Sequence, residues 1–290
     1  MIPQQHYSMA IKQNLALERP RNLSRIFRRR INYGFEVRAQ LRLRNNLELV
    51  LFVRLQTLIR KFVRIQARNL MNNELLLTRA EKQFLEDLKL LMTAQYRKIF
   101  MAMYERNTMI YQNLQKKQDA FDFSNVNFER LVGGYMSRNV LRLEGISRTL
   151  ATKIKDFIEK NAEEGLGIEQ IARDLEKIAP TLSRWRAHTI ARTETHNAAS
   201  YANHKYHLDL GDSLDMQFMK RWVSVSDGRT RPEHRAANGQ TVPMDGKFRL
   251  GNPKLGEVFM DRTGDPAGGV YNIINCRCVI TYAENPEDLL

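Results

Sequence analysis

Four stretches in the C-terminal half of the chain combine residue types and spacings that could do chemistry. The first is Asn275-Cys276-Arg277-Cys278, where two thiols stand two residues apart. On an extended strand such residues project to the same side. Together with His234 they would offer zinc three ligands of the kinds it prefers, with His196, His204, Asp227 or water as the fourth. Two small buried apolar side chains on an inner sheet face would account for the cysteines equally well, and Cys-x-Cys alone is a weak metal signature. The second stretch, Ala191 to Asn197, sets Arg192 and His196 four apart on one helix face. The third runs from Trp222 through Ser224 and Asp227-Gly228 to Arg229, Arg231 and His234, a strand that turns into a basic loop. Gly264-Asp265-Pro266 is the fourth.

Glu194, His196, Asp227 and His234 have the side chains for acid–base work. Each also has an ordinary structural use, as a helix charge, a bonded core group, a turn-forming Asp-Gly or a loop histidine. The sequence holds no phosphate-binding glycine loop, nucleophile elbow or zinc-protease helix. His196, Asn197 and His204 resemble a nuclease triplet in type, but all three fall on one expected helix. The expectation is therefore a protein that is not an enzyme and needs no cofactor, zinc at His234, Cys276 and Cys278 being the one ion its residues could hold. The rival is a metal-dependent nuclease or transferase working through Arg192, Glu194 and His234.

The elements that must position these residues are mostly helical. Between Gly34 and Gly133 the sequence contains neither Pro nor Gly. Leu47, Leu51, Leu55, Leu58, Phe62 and Ile65 recur at helical spacing, and Asn72-Asn73 mark a turn. A second stripe, from Phe84 through Leu88, Met92, Ile99 and Met103 to Ile110, follows Thr78-Arg79-Ala80-Glu81, which reads as a capping box. Two long antiparallel helices result. Asp119 to Gly134 reads as a connector. Ser147 is then expected to cap a helix ending near Glu164, a short helix covers Ile168–Ile178 before Pro180, and another runs from Thr181 or Ser183 to Gly211. Short runs between turn signals give strands at Phe218–Val225, Lys247–Leu250 and Val270–Tyr282. The fold class is α+β: long basic N-terminal α-helices, then a smaller helix-plus-antiparallel-sheet domain. The division is a basic arm and helical region over 1–118, a connector over 119–146 and the α+β domain over 147–290.

Charge separates the two parts. The net charge is +14 from 46 Lys and Arg against 32 Asp and Glu. Residues 1–118 hold 23 basic and 8 acidic side chains, 23 − 8 = +15, which leaves 23 − 24 = −1 for the remainder. Residues 19–68 are densest, with 14 basic against 2 acidic. Arg28, Arg29, Arg30, Arg54, Arg60, Lys61, Arg64 and Arg68 are the candidates for a polyanion. The apolar run Leu49–Val53 is only five residues long, where a membrane span needs about twenty. The opening Met-Ile-Pro-Gln-Gln-His lacks the layout of a secretory signal, and two cysteines make no disulfide framework, so a reducing compartment is expected. A membrane-active ejection role for the Arg-flanked helix 35–70 is a further alternative.

Taken in order, these motifs resemble the phage head morphogenesis domain, the family of the bacteriophage Mu F protein and related minor head proteins of tailed phages. The resemblance covers about residues 145–283 and rests on Arg192, Glu194, Trp222, Ser224, Asp227, Arg229, Arg231, His234, Asp265 and Asn275. It implies a structural minor head protein, made in the host cytoplasm and placed in the virion head near the portal vertex. Its implied partners are the portal and head proteins and, through non-specific phosphate contacts, packaged DNA; a membrane partner is not expected. Within the motifs, Asp227 is expected to pair with Arg192 or Arg229 and so clamp its loop onto the helix carrying Glu194.

Overall fold

The computed structural model describes residues 33–72, 77–115 and 123–284. Helix α1 (Tyr33–Met71) and helix α2 (Leu77–Gln115) occupy the stretch without Pro or Gly. They run antiparallel: Lys61 meets Asp87 at 3.2 Å, the Phe62 and Phe84 rings lie 4.8 Å apart, and Gln95 Nε2 donates to the Leu47 carbonyl at 3.1 Å. Leu51, Leu55, Ile59, Phe62 and Val63 of α1 face Phe84, Leu88, Met92, Tyr96 and Ile99 of α2 in one buried seam. Because α2 begins at Leu77, Thr78 lies inside its first turn and not at the N-cap, which corrects the capping-box reading.

Helix α3 (Phe128–Glu163) starts well before the expected Ser147. The Asn127 side chain caps it, accepting from the Arg130 backbone N–H at 2.9 Å. Val132, Tyr135, Leu143, Leu150 and Ile154 form a continuous buried face that carries the helix through Gly133-Gly134. Those glycines each cost about 1 kcal/mol relative to alanine, less than the burial of the aromatic and aliphatic face supplies. Ser147 is buried in mid-helix, and the connector expected over 119–146 is helical from residue 128 onward.

The two helices expected around Pro180 are one. Helix α4 (Ile168–Leu214) passes through Pro180, which removes a single backbone hydrogen bond. Tertiary packing offsets that loss: Ala179 and Ser183 are buried, and Arg60 Nε reaches Ser183 Oγ at 3.2 Å. Farther along, Arg192 of α4 pairs with Glu48 of α1 at 3.2 Å, so these helices also lie antiparallel. Gly211 does not end α4. It admits the turn that follows, since a Cβ there would stand 2.8 Å from the Met216 carbonyl oxygen.

The sheet is small and antiparallel. Strand β1 (Met219–Val223) lies between β2 (Thr241–Pro243) and β5 (Val279–Ala283), with Lys220 opposite both Val242 and Tyr282. Strands β3 (Phe248–Asn252) and β4 (Gly256–Met260) form a separate hairpin. A short helix α5 (Pro232–Ala236) sits between β1 and β2, and α6 (Gly269–Ile273) precedes β5. Of the strand expected over Val270–Tyr282, the first four residues are helical and only the last four belong to β5. The fold class is α+β as the sequence indicates, but one apolar core runs without a break from Leu51 and Phe100 through α4 to Trp222, Phe248 and Tyr282.

Candidate metal centre and motif residues

The segment Cys276–Cys278 lies just ahead of β5 and not inside a strand. Asn275 opens it in the left-handed region, φ 56°, a conformation that asparagine tolerates better than most residues. Its backbone N–H donates to Thr193 Oγ1 of α4 at 3.1 Å, which ties the turn to the long helix. Both sulfurs lie on the side of His234 of α5. Nδ1 of His234 stands 3.3 Å from Cys278 Sγ and 3.6 Å from Cys276 Sγ. The three ligand atoms lie within 4.8 Å of one another, and all three side chains are buried. The predicted grouping of His234, Cys276 and Cys278 thus comes together in space.

The protonation of this group is set by its neighbours. Asn272 Nδ2 donates to the Gly251 carbonyl at 3.0 Å, which orients the amide and leaves Oδ1 to accept from His234 Nε2–H at 3.1 Å. The imidazole is thereby held with Nδ1 bare and aimed at the sulfurs. The hydrogen bond from Cys278 pulls the Cys276 thiol well below its ordinary range against the opposing effect of burial, with His196 helping. The same bond, together with burial, pushes Cys278 up. Arg44, buried on α1, donates to the carbonyls of Cys278 and Arg277, both at 3.2 Å, and brings a positive charge beside the thiols.

Asp227 pairs with Arg229, one of the two expected partners, but a closer one takes precedence. Its two carboxylate oxygens accept from Arg277 Nη1 and Nη2 at 2.6 and 2.5 Å, while Arg229 stands at 3.6 Å and is largely exposed. Hydrogen bonds from Arg277, then from the Arg229 backbone and Thr230, hold its carboxyl well below the usual range. Arg192 is engaged with Glu48 and with His188 Nε2 at 3.0 Å. The clamp therefore joins the Asp227 loop to the Cys-x-Cys segment and not to α4. Arg231 reinforces it, donating to the Ile274 carbonyl at 2.7 Å. Ser224 receives its own tie, its N–H donating to Asn238 Oδ1 at 2.8 Å.

Glu194 belongs to another cluster. Buried on α4, it accepts from Tyr96 Oη at 2.6 Å and Arg142 Nη2 at 2.7 Å, joining α2, α3 and α4. Burial works against the Arg142 charge, but the carboxylate beside it prevails and holds the guanidinium protonated. Arg192, Glu194 and His234, the trio of the enzyme reading, each engage different partners. His204 is drawn towards Tyr282 Oη at 3.5 Å. His196 remains beside Cys276, buried, with neither ring nitrogen in a well-formed hydrogen bond.

Gly264-Asp265-Pro266 holds a tight turn against α4. Asp265 accepts from the backbone N–H of Asp261 at 2.7 Å and of Ala267 at 3.0 Å. Gly264 has φ +73°, and a Cβ there would overlap Asn197 Oδ1 and lie 3.1 Å from the Asn197 Cα. Gly264→Ala is expected to cost about 2 kcal/mol, from the strained φ and the overlap together. Urea unfolding measures it; a loss below about 0.5 kcal/mol, the range of neutral surface changes, would contradict the account.

Sequence reasoning missed Arg44 and Asn272 as supports of this site, and also Tyr96 and Arg142. Arg44 is one of many arginines in a basic stretch, and Asn272 falls where a strand was expected. Of the polyanion candidates, Arg28, Arg29 and Arg30 lie outside the described residues. Arg60 departs from the set, being half-buried against Ser183. Arg54, Lys61, Arg64 and Arg68 are exposed and fall within one strip of α1. No helix among the described residues is long and apolar enough to cross a membrane.

No curated protein and no solved structure matches the chain. A family model does, the one described as Phage Mu protein F like protein, over residues 152–281. That span begins in α3 and ends in β5, and it contains Glu194, the Asp227 loop, His234, Gly264-Asp265-Pro266 and the Cys-x-Cys segment. Residues 152–281 are thus similar to the phage Mu protein F like family, in line with the phage head morphogenesis domain that the motifs resemble.

Proposed function

We propose that this chain is a structural minor head protein of a tailed bacteriophage, seated at the portal vertex of the virion. The observation that carries the reading is the family match over residues 152–281, with motif residues that tie loops together in place of a catalytic constellation. In this reading the C-terminal domain docks onto portal and head proteins during assembly in the host cytoplasm. Lysine cross-linking of assembled heads tests that part. Exposed Lys247 and Lys254 are expected to join to portal or neighbouring head proteins; cross-links confined to the chain itself would contradict docking.

The strip on α1 supports contact with packaged DNA. Arg54 and Arg68 stand fourteen positions apart, about 21 Å along the helix. Lys61 shares its charge with Asp87, while Arg54, Arg64 and Arg68 make no ion pair among the described residues. Such a row suits phosphates without reading bases. Replacing Arg54, Lys61, Arg64 and Arg68 together by Ala is expected to weaken binding to any duplex. The slope of log K against log salt should fall by about 3 to 4. An unchanged slope in a fluorescence anisotropy titration would remove the strip from the DNA contact.

A further inference from the structure

We propose that His234, Cys276 and Cys278 bind a zinc ion, with the neighbouring His196, outside the converged group, turning in as the fourth ligand. This goes beyond the head role and does not depend on it. Three observations carry it.

The first is the ligand set. Two sulfurs and an imidazole nitrogen converge within 4.8 Å in a place closed to water. Two thiolates and two imidazoles form a set that zinc takes in closed structural sites, and that calcium and magnesium, which want oxygen, do not. Two thiolates also neutralise the charge of the ion, which lets it sit in an apolar core.

The second is the preset tautomer. The chain from Gly251 O through Asn272 to His234 Nε2–H leaves Nδ1 without a proton and facing both sulfurs. An outer hydrogen bond that fixes the ring in this way is the usual support of a metal-bound histidine. A thiol donating to Nδ1 would use one sulfur only, and the second would have no acceptor beyond the first.

The third is the set of groups left over around the sulfurs. His196 is 2 % exposed, lies against Cys276, and has both ring nitrogens without a well-formed partner. Buried imidazole nitrogens are rarely left so. The Trp222 indole N–H, fully buried and otherwise unpartnered, faces the Cys278 sulfur. Arg44 adds its charge from the other side. Donors and a cation gathered on two sulfurs suit thiolates, the form that a metal stabilises. The ion would join α4, α5 and the segment before β5, the three parts of the domain that carry the family motifs.

The test uses the full chain, purified without chelator, and elemental analysis by mass spectrometry. About one zinc per chain is expected, and its loss in Cys276→Ser, Cys278→Ser and His234→Ala. Stripped protein titrated with cobalt(II) should show thiolate charge-transfer bands and the intense visible bands of a tetrahedral site. Asn272→Ala and His196→Ala keep the three core ligands; Asn272→Ala, which removes an outer support, should weaken cobalt binding by roughly 10–100-fold, and His196→Ala, which removes a ligand, should weaken it at least as much, with circular dichroism unchanged in both. Protein without zinc that gives no thiolate–cobalt band would overturn the site, as would a Cys276–Cys278 disulfide in freshly purified chain under reducing conditions. Unchanged affinity in His196→Ala would overturn the four-ligand set.

Discussion

Glu194→Ala is expected to destabilise the chain by about 3–5 kcal/mol, the cost of breaking a buried ion pair from one side. The carboxylate is 1 % exposed and holds Tyr96 Oη at 2.6 Å and Arg142 Nη2 at 2.7 Å. Without it, Arg142 keeps a charge that burial disfavours, and the Tyr96 hydroxyl, 0 % exposed, loses its acceptor. The three helices that meet there lose their only polar tie at that level among the described residues. Glu194→Gln keeps the shape and one acceptor, so its loss should be smaller, about 2 kcal/mol. Chemical denaturation of both variants measures this. A loss below about 1 kcal/mol in Glu194→Ala would contradict the structural role assigned to the cluster.

Acid should unfold the protein early. His204 and His207 are both held down to about 3, burial being the main cause in each. For His204, the nearby Lys220 and Arg262 add to burial, and for His207 Arg106 does. The geometry at His207 agrees: Nδ1–H donates to the Asn203 carbonyl at 2.7 Å, and Nε2 accepts from Tyr111 Oη at 3.0 Å. A second ring proton would displace the hydrogen bond that Tyr111 Oη donates to Nε2. Both groups are neutral in the folded chain, and in the unfolded chain they bind protons below about pH 6.5. Their contribution is therefore fully present above that pH and is lost as pH falls from 6.5 towards 3. By pH 5 the two together should remove about 4 kcal/mol. The urea midpoint measured from pH 7 to pH 5 should fall steadily, and His207→Phe should flatten the curve. A midpoint unchanged over that range would contradict the assignment.

The long helices were legible because their signals are local. The absence of Pro and Gly sets α1 and α2; α1 ends at Met71 beside Asn72, α2 is described as far as Gln115, and Asn73 lies outside the described residues. Pro180 and Ser147 misled for one shared reason. A breaker or a capping residue states a local preference, and a buried face on both sides of it overrides that preference. Pro180 is carried by Ala179 and Ser183 packed against α1, and Ser147 by Leu143 and Leu150 on either side.

At the site, residue types were readable and pairings were not. Cys276 and Cys278 project together as their spacing implies, and they meet His234 as proposed. Asp227 was expected to reach Arg192 or Arg229; Arg229 stands at 3.6 Å, but Arg277, fifty residues away, takes the bidentate position. That choice depends on the left-handed turn at Asn275, which re-aims the segment after α6. Arg44 and Asn272 carry no sequence pattern of their own. Only the packing of α1 and α6 against the Cys-x-Cys segment gives them a role.

The central claim is that this chain is a fixed component of a phage head. Mass spectrometry of intact virions, beside ghosts emptied of their DNA, tests it most directly. The account predicts the protein in both samples at the same copy number per particle, held by its docked C-terminal domain. Its loss from ghosts would contradict a fixed place in the head, and its absence from virions would contradict a structural role altogether.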